Sequence, residues 1–196
     1  FSRDYNRYVD PEYVTLEGAL DNRYYQSEWY ASLVNKYTIA NWWDVSLATD
    51  FAKNTLSANL YRFPYPTRYS YFVALSTQMQ WERFHLQASM LGAYVKEEVE
   101  QYYKGDNQKV FNPVISASLQ PFETSNFRIR AFYKESFRMP TFNDLYYTFV
   151  GNSSLRPEFT KQYDVGATWI RNNNSGLLRT ASVQADVYYN RVTDKI

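Results

Sequence analysis

Apolar and polar residues alternate with a period of two along most of the chain, and no long stretch has the spacing of an amphipathic helix. The alternation covers eight segments. They begin near the following residues: Trp29, Trp43, Tyr71, Phe84, Ile115, Phe127, Tyr163 and Ala181. Successive side chains of a strand point to opposite faces, so each segment predicts a strand with one apolar face and one polar face.

The stretches between these strands alternate in length. The short ones are Ala40 to Trp42, Gln80 to Arg83, Pro121 to Asn126 and Arg171 to Gly176. The long ones are Phe1 to Tyr24, Lys53 to Arg68, about Lys96 to Lys109, and Ser136 to Lys161. In an up-and-down sheet all the long connections lie at one rim, which is the layout of outer-membrane barrels. The pattern therefore predicts an all-β, antiparallel segment of a transmembrane barrel whose polar face lines a wet lumen.

Aromatic residues make up 19% of the 196 residues, and 20 of them are tyrosines. Many lie near strand ends, where the interface girdles of a membrane barrel need rings with one apolar end and one wet end. A soluble carbohydrate-binding β-sandwich with an aromatic platform is the alternative. The polar faces carry Ser, Gln, Thr and Asn more often than Lys and Glu, and this favours the barrel.

The composition removes several classes of site. The chain has no cysteine and one histidine, so it has no thiolate nucleophile and no cysteine-ligated metal. Its 21 basic and 20 acidic residues give no electrostatic footprint for nucleic acid. A glycosidase needs two carboxyls about 5 to 10 Å apart across a cleft, and Asp44 and Asp50 on one strand supply no cleft. We therefore expect no enzyme, no metal site and no bound cofactor.

Two polar features receive structural interpretations. His85 follows a short connection and is expected to face the lumen near the periplasmic rim as a hydrogen-bonded residue. The acidic run from Glu97 to Glu100 lacks the spaced ligand loop of a calcium site, so we expect a solvated strand end.

Four short motifs follow one another late in the chain. They read Phe137-Arg138-Met139-Pro140, Asn143-Asp144-Leu145-Tyr146, Gly151-Asn152-Ser153-Ser154-Leu155-Arg156-Pro157-Glu158 and Tyr163-Asp164-Val165-Gly166. In this order, and among alternating strands, they resemble the motifs of the TonB-dependent outer-membrane receptors. Segments 42–47 and 63–68 look like the Bacteroidetes members of that family.

The resemblance implies a fold and a function. Residues 1–196 would be about eight strands of a barrel of roughly 22 strands, without the plug domain that fills such barrels. The parent receptor would take up a scarce, bulky nutrient across the Gram-negative outer membrane. The implied partners are outer-membrane lipid, TonB through the missing plug domain, an extracellular ligand and a surface lipoprotein. The implied cargo is a siderophore, a corrinoid, haem or a glycan.

The motifs also suggest site residues. Candidate ligand contacts in the loop are Phe142, Asn143, Tyr146, Tyr147, Phe149 and Asn152. The loop aromatics could instead contact the plug or pack on one another. Structural roles are expected for Phe137, Arg138, Pro140, Gly151, Leu155, Pro157 and Glu158. Haem-uptake members carry a histidine between two of these motifs, and the interval from Thr141 to Gly151 has none.

Overall fold

Nine antiparallel strands and one short helix make up the part of the chain that the computed structural model describes, residues 1–15, 18–100, 107–146, 151–172 and 179–196. The elements in chain order are β1 (Ser2–Thr15), β2 (Gly18–Ala40), β3 (Trp43–Ala58), β4 (Thr67–Gln80), β5 (Phe84–Glu98), β6 (Gln108–Leu119), β7 (Asn126–Arg138), α1 (Phe142–Tyr146), β8 (Glu158–Asn172) and β9 (Thr180–Thr193). Each strand pairs with its neighbours in sequence, so the described strands form one up-and-down sheet. The predicted all-β, up-and-down architecture is confirmed.

The apolar face of this sheet is exposed. Leu33 is 61% exposed, Val73 50% and Leu75 55%, and all three lie on the same face of the sheet. The alternative of a two-sheet sandwich with a dry core is therefore wrong for the described strands, which form a single sheet. No helix in the described part of the chain is long and apolar enough to cross a membrane.

The prediction of a long connection from Phe1 to Tyr24 is wrong, because this region forms a hairpin of β1 and the first part of β2. Their ladder runs from the pair Ser2–Glu28 to the pair Thr15–Gly18. Aromatic and charged residues occupy both faces of the hairpin, and this hides the period of two. The carboxylate of Asp21 pairs with Arg7 and Arg23 at 2.7 Å each across this surface.

Six of the remaining connections alternate in length as predicted, and the predicted short connection from Arg171 to Gly176 lies mainly outside the described residues. The described strands leave short turns at 41–42, 81–83 and 120–125, and long connections at 59–66, 99–107 and 139–157. Because the strands run up and down, these three long connections share one rim. We call this side the long-loop rim and the other side the short-turn rim.

Two rows of aromatic rings border the exposed apolar face. At the short-turn rim the ring of Trp42 stacks on Trp43 at 5.9 Å and on Trp81 at 5.1 Å. Towards the long-loop rim, Tyr71 packs against Phe51 at 5.1 Å and Tyr94 at 6.2 Å. Tyr71 and Trp81 are separated by about 33 Å along a strand, or about 25 Å after a strand tilt of about 40°. That height matches the apolar band of a membrane barrel.

The opposite, polar face carries a three-strand bridge. Arg130 on β7 donates a hydrogen bond to Thr168 at 2.8 Å and forms an ion pair with Asp186 on β9. The bridge passes over buried Gly166 on β8, where an added Cβ would lie 2.0 Å from the Asp186 carboxylate oxygen and 3.1 Å from Arg130 Nε. The absence of a side chain at Gly166 therefore lets the ion pair span three strands.

We predict that Gly166→Ala destabilises the sheet by about 1 kcal/mol, because the new methyl group displaces the Asp186 carboxylate. Gly92→Ala is the matched control, since its Cβ would meet Phe111 at an ordinary 3.5 Å. That control should be neutral or slightly stabilising. Thermal unfolding in detergent measures both variants, and equal unfolding midpoints would contradict the role of Gly166.

Candidate functional site

Two connections of the long-loop rim fold against the polar face of the sheet. Segments 59–66 and 139–146 meet strands β2 and β3 in a small buried core, which we call the loop cluster. Its members are Tyr24, Leu56, Ala58, Phe63 and Phe142, with Leu60, Tyr65 and Tyr146 packed against them. The cluster forms the candidate site, because it brings part of the predicted ligand loop over the inner side of the rim.

Segment 59–66 is held from both sides. The Asn59 side chain accepts a hydrogen bond from the Arg23 backbone N–H at 2.7 Å and donates one to the Asp21 carbonyl at 2.8 Å. The Pro66 carbonyl accepts a hydrogen bond from the Leu56 N–H at 3.1 Å. These bonds hold the segment so that the ring of Phe63, only 3% exposed, lies inside the loop cluster.

A buried ion pair connects the loop cluster to the sheet. Arg68 on β4 and Glu97 on β5 are direct partners in the ladder, and their side chains are only 10% and 8% exposed. Arg68 Nε and Nη2 donate to the same carboxylate oxygen of Glu97 at 2.9 and 2.7 Å. The buried charges of Arg68 and Glu97 therefore compensate each other within the sheet.

The remaining polar atoms of this pair bind segment 139–146. Arg68 Nη1 donates to the Pro140 carbonyl at 2.7 Å, and the Tyr146 hydroxyl donates to the second oxygen of Glu97. The Arg68 guanidinium also lies 4.9 Å from the centre of the Phe142 ring, a cation–π contact. We call Arg68, Glu97, Pro140, Phe142 and Tyr146 the rim clamp.

The rim clamp overturns one expectation from the sequence. Glu97 is 9% exposed and paired, so the interpretation of 97–100 as a solvated strand end is wrong at this residue. Glu98 points to the other face, where it pairs with Lys96. Among the described residues no group of three acidic, histidine or cysteine side chains could hold a metal ion.

Helix α1 is held by a reciprocal cap. The Thr141 backbone N–H and hydroxyl both lie 2.8 Å from the Asp144 carboxylate, and the Asp144 N–H donates back to the Thr141 hydroxyl at 3.2 Å. These bonds hold the pKa of the Asp144 carboxyl below its usual range. The Asp144 carbonyl accepts the Asn152 N–H at 2.8 Å, which directs the chain back towards β8.

The predicted ligand residues occupy different environments. Phe142 is 4% exposed inside the loop cluster, and the Tyr146 hydroxyl is bound to Glu97. Asn143 is exposed, and exposed Asn152 accepts a hydrogen bond from the Ser154 N–H at 3.0 Å. Tyr147 and Phe149 lie outside the described residues. Asn143 and Asn152 are therefore the exposed members of the predicted set within the described residues.

The motif residues expected to have structural roles lie along the two arms of this connection. Phe137 and Arg138 pair with Phe159 and Glu158 where β7 and β8 meet. Pro140 and Pro157 are buried, Gly151 is exposed, and the Leu155 N–H donates to the Asn152 carbonyl at 3.2 Å.

Arg68, Glu97 and Phe63 were not among the predicted site residues. A usable signal for the first two was present, since Arg68 and Glu97 carry opposite charges on the polar faces of adjacent strands. The pairing needs a register between β4 and β5, which alternation alone does not supply.

His85 lies on the polar face close to the short-turn rim, as predicted. It is half-buried and pairs with Gln80 and Ser118 in the ladders. With Gln78, Gln87 and Arg130 it lines a shallow depression of about 320 Å³. This depression is separate from the loop cluster at the opposite rim.

Comparisons with known proteins agree with this architecture. The sequence matches the family model described as TonB dependent receptor-like, beta-barrel, over residues 1–196. No curated protein sequence matches the chain.

Two solved structures share the fold. One is a double mutant of the Serratia marcescens hemophore receptor HasR in complex with its hemophore HasA and heme, at 11% identity and a TM-score of 0.60, covering 89% of this chain and 34% of that one. The other is the copper transporter OprC, at 12% identity and a TM-score of 0.62, covering 97% of this chain and 39% of that one. The chain spans little more than a third of the length of either protein. With the family match over its whole length, the chain belongs to the TonB-dependent receptor β-barrel family.

Proposed function

We propose that the chain forms part of the barrel wall of a Gram-negative outer-membrane receptor that takes up a scarce, bulky nutrient. The observation that carries this proposal is one sheet with an exposed apolar face and, on its opposite face, loops folded over the rim. An apolar face between two aromatic rows suits contact with lipid, and a polar face suits a water-filled lumen. Family membership supports the same reading.

The energy for release would reach the ligand through TonB and a plug domain encoded elsewhere in the parent receptor. In this proposal residues 1–196 are a partial barrel domain. The docking surface for a surface lipoprotein in this proposal is the β1–β2 hairpin, whose tip extends past the end of β3 and exposes Tyr8 and Val9.

The cargo we propose is a siderophore, a corrinoid, haem or a glycan, which all offer oxygen acceptors and apolar surface. The exposed side-chain amide of Asn143 can donate a hydrogen bond to such acceptors. Asn143 lies on α1, and the rim clamp holds this helix in place. HasR binds a hemophore and heme, and OprC is a copper transporter, so receptors with this fold accept cargo of very different sizes.

The lipid-facing wall can be tested with a pair of neighbouring cysteines. A fluorophore on Leu75→Cys should report an apolar environment and be quenched by brominated lipid, because Leu75 lies on the exposed apolar face. A fluorophore on Ser76→Cys, one position along the same strand, should escape this quenching. Similar quenching at both positions in reconstituted receptor would refute a membrane wall in this orientation.

Substitutions in the rim clamp test whether its buried ion pair stabilises the receptor. Arg68→Gln or Glu97→Gln should destabilise the receptor by about 3 to 5 kcal/mol, because each leaves a buried charge without its partner. The double variant Arg68→Met/Glu97→Leu should lose less than either single variant, since it leaves no buried charge. Thermal unfolding in detergent gives these values.

The exposed pair of Arg7 and Asp21 is the matched control for the clamp. Asp21→Asn should change the unfolding midpoint little, because solvent screens that pair. If Asp21→Asn and Glu97→Gln had equal effects, the clamp would not hold the rim.

Uptake itself is tested by growth on limiting nutrient. A strain that lacks the receptor should fail on one of ferric siderophore, cobalamin, haem or an oligosaccharide, and recover with the wild-type gene when TonB is present. Asn143→Ala should weaken binding of that nutrient about fivefold to tenfold without changing the unfolding midpoint, which is typical of one lost hydrogen bond. Thr67→Ala, an outward-facing change on β4, is the control. Growth that is independent of receptor and TonB on every nutrient would contradict the proposal.

A further inference from the structure

A strip of the polar face, next to the loop cluster, carries hydrogen-bond acceptors and one exposed aromatic ring. Glu28, Tyr30 and Ser32 follow one another along this face of β2, and Asp50 on β3 is the ladder partner of Ser32. The strip shares the face of the rim clamp, because the ladder level of Glu28 continues across β3 to Arg68. We call Glu28, Tyr30, Ser32 and Asp50 the inner strip.

The ring of Tyr30 is the main apolar surface of the inner strip. It is 56% exposed although it lies on the polar face, and its hydroxyl donates to Asp50 Oδ1 at 3.1 Å. This hydrogen bond ties the side chain to the neighbouring strand and fixes the direction of the ring. A fixed ring that is open to the lumen can pack against the C–H face of a ring-shaped ligand.

The two carboxylates of the inner strip lack hydrogen-bond donors. Within the part of the chain that the structure describes, Glu28 has no hydrogen-bond or ion-pair partner, and Asp50 has only the Tyr30 hydroxyl. Both carboxylates are half-buried. The guanidinium of Arg68 is already bound within the rim clamp. The free lone pairs of these carboxylates are therefore available to a ligand that donates hydrogen bonds.

The residues beside the inner strip add to this surplus of acceptors. Asn54 lies between Glu28 and Arg68 in the ladder, and its Oδ1 is buried with no hydrogen-bond partner among the described residues. On β1 the exposed side chain of Asp4 lies on the same face, opposite Gln26. This part of the described wall is therefore rich in acceptors and negative charge.

We propose that the inner strip binds a neutral oligosaccharide. This inference rests on the proposed function and selects one of its four classes of cargo. Sugar hydroxyls can donate charge-assisted hydrogen bonds to Glu28 and Asp50, while the Tyr30 ring covers a C–H face of the sugar. The two carboxylates are separated by four residues of β2, or about 14 Å along the strand. That separation suits a chain of linked sugar rings.

The charge of the inner strip disfavours the other classes of cargo. Haem carries propionates, ferric siderophores present anionic oxygens, and a corrinoid with its nucleotide carries a phosphate. Each of these groups brings negative charge and further acceptors towards carboxylates that already lack donors, and like charges in contact weaken binding. A neutral oligosaccharide brings donors without charge.

The test measures the binding of hexasaccharides to the purified receptor that contains this chain, by isothermal titration calorimetry. The probes are neutral hexasaccharides of glucose, xylose, mannose and fructose, and at least one should bind. Tyr30→Ala should weaken that binding about tenfold, because the stacking surface is lost. Tyr30→Phe keeps the ring and should weaken binding by about threefold at most. Asp44→Asn is the matched control, because Asp44 lies on the same face but pairs with Lys36 near the short-turn rim, and it should leave binding unchanged.

A charged form of the bound hexasaccharide gives a readout that misfolding does not reproduce. Oxidation of one C6 hydroxyl to a carboxylate should weaken binding to the wild type about tenfold, because like charges then meet in the inner strip. Glu28→Gln/Asp50→Asn should bind the oxidised probe more tightly than the wild type does, and the neutral probe less tightly. An unchanged preference in this double variant would overturn the inference. So would wild-type affinity in Tyr30→Ala, or no binding of any neutral hexasaccharide.

The failure of this inference differs from the failure of the proposed function. If the receptor binds ferric siderophore, cobalamin or haem, supports TonB-dependent growth on it and ignores the hexasaccharides, only the inner strip is wrong. If the strain that lacks the receptor grows like the wild type on every nutrient, the uptake function itself is wrong.

Discussion

The unbroken antiparallel ladder is the constraint on which the rest of this structure depends. A backbone N–H or C=O left unpaired at hydrocarbon depth costs several kcal/mol, so each spanning strand has to pair with its neighbours over its full height. Once the register is set, the period of two assigns every side chain to a face. Leu75 and Ser76 are neighbours in sequence and lie on opposite faces. A shift of one residue would turn serines and glutamines towards lipid, and this makes the register hard to change.

The same ladder decides which charges meet and how much they matter. It places Arg68 opposite Glu97 at the rim, where loops cover both side chains. It also places Arg130 and Asp186 on either side of Gly166, where about a third of each side chain stays exposed. The buried pair holds α1 in position, because Arg68 donates to the Pro140 carbonyl and Glu97 accepts from the Tyr146 hydroxyl. Breaking the pair would leave one buried charge without its partner. The exposed pair is screened by solvent and adds mainly to the order of the polar face.

The sequence predicts the strands well wherever one face is apolar, since alternation over β3 to β9 needs only residue types. It fails for β1 and the start of β2, because aromatic and charged residues occupy both faces of the hairpin and Tyr5, Tyr8 and Val9 are exposed, so no apolar face alternates with a polar one. It also fails at Glu97, where an acidic run looks solvated. The burial of Glu97 depends on segments 59–66 and 139–146, which approach from distant parts of the chain. Of the candidate site, the sequence points to the motif that carries Pro140, Phe142 and Tyr146 but not to Arg68 and Glu97, which complete the rim clamp.

The tyrosines show why composition alone does not locate a ligand site. A phenol has an apolar ring and one hydroxyl, so its use depends on the depth at which the ladder places it. Tyr71 and Tyr94 lie in the aromatic row towards the long-loop rim, and Tyr24 lies inside the loop cluster. Tyr146 donates a hydrogen bond to the buried carboxylate of Glu97. All four have structural partners in the described part of the chain. The exposed amide of Asn143 is therefore a more specific candidate for ligand contact than these rings, because it is open to solvent while the four tyrosines have structural partners.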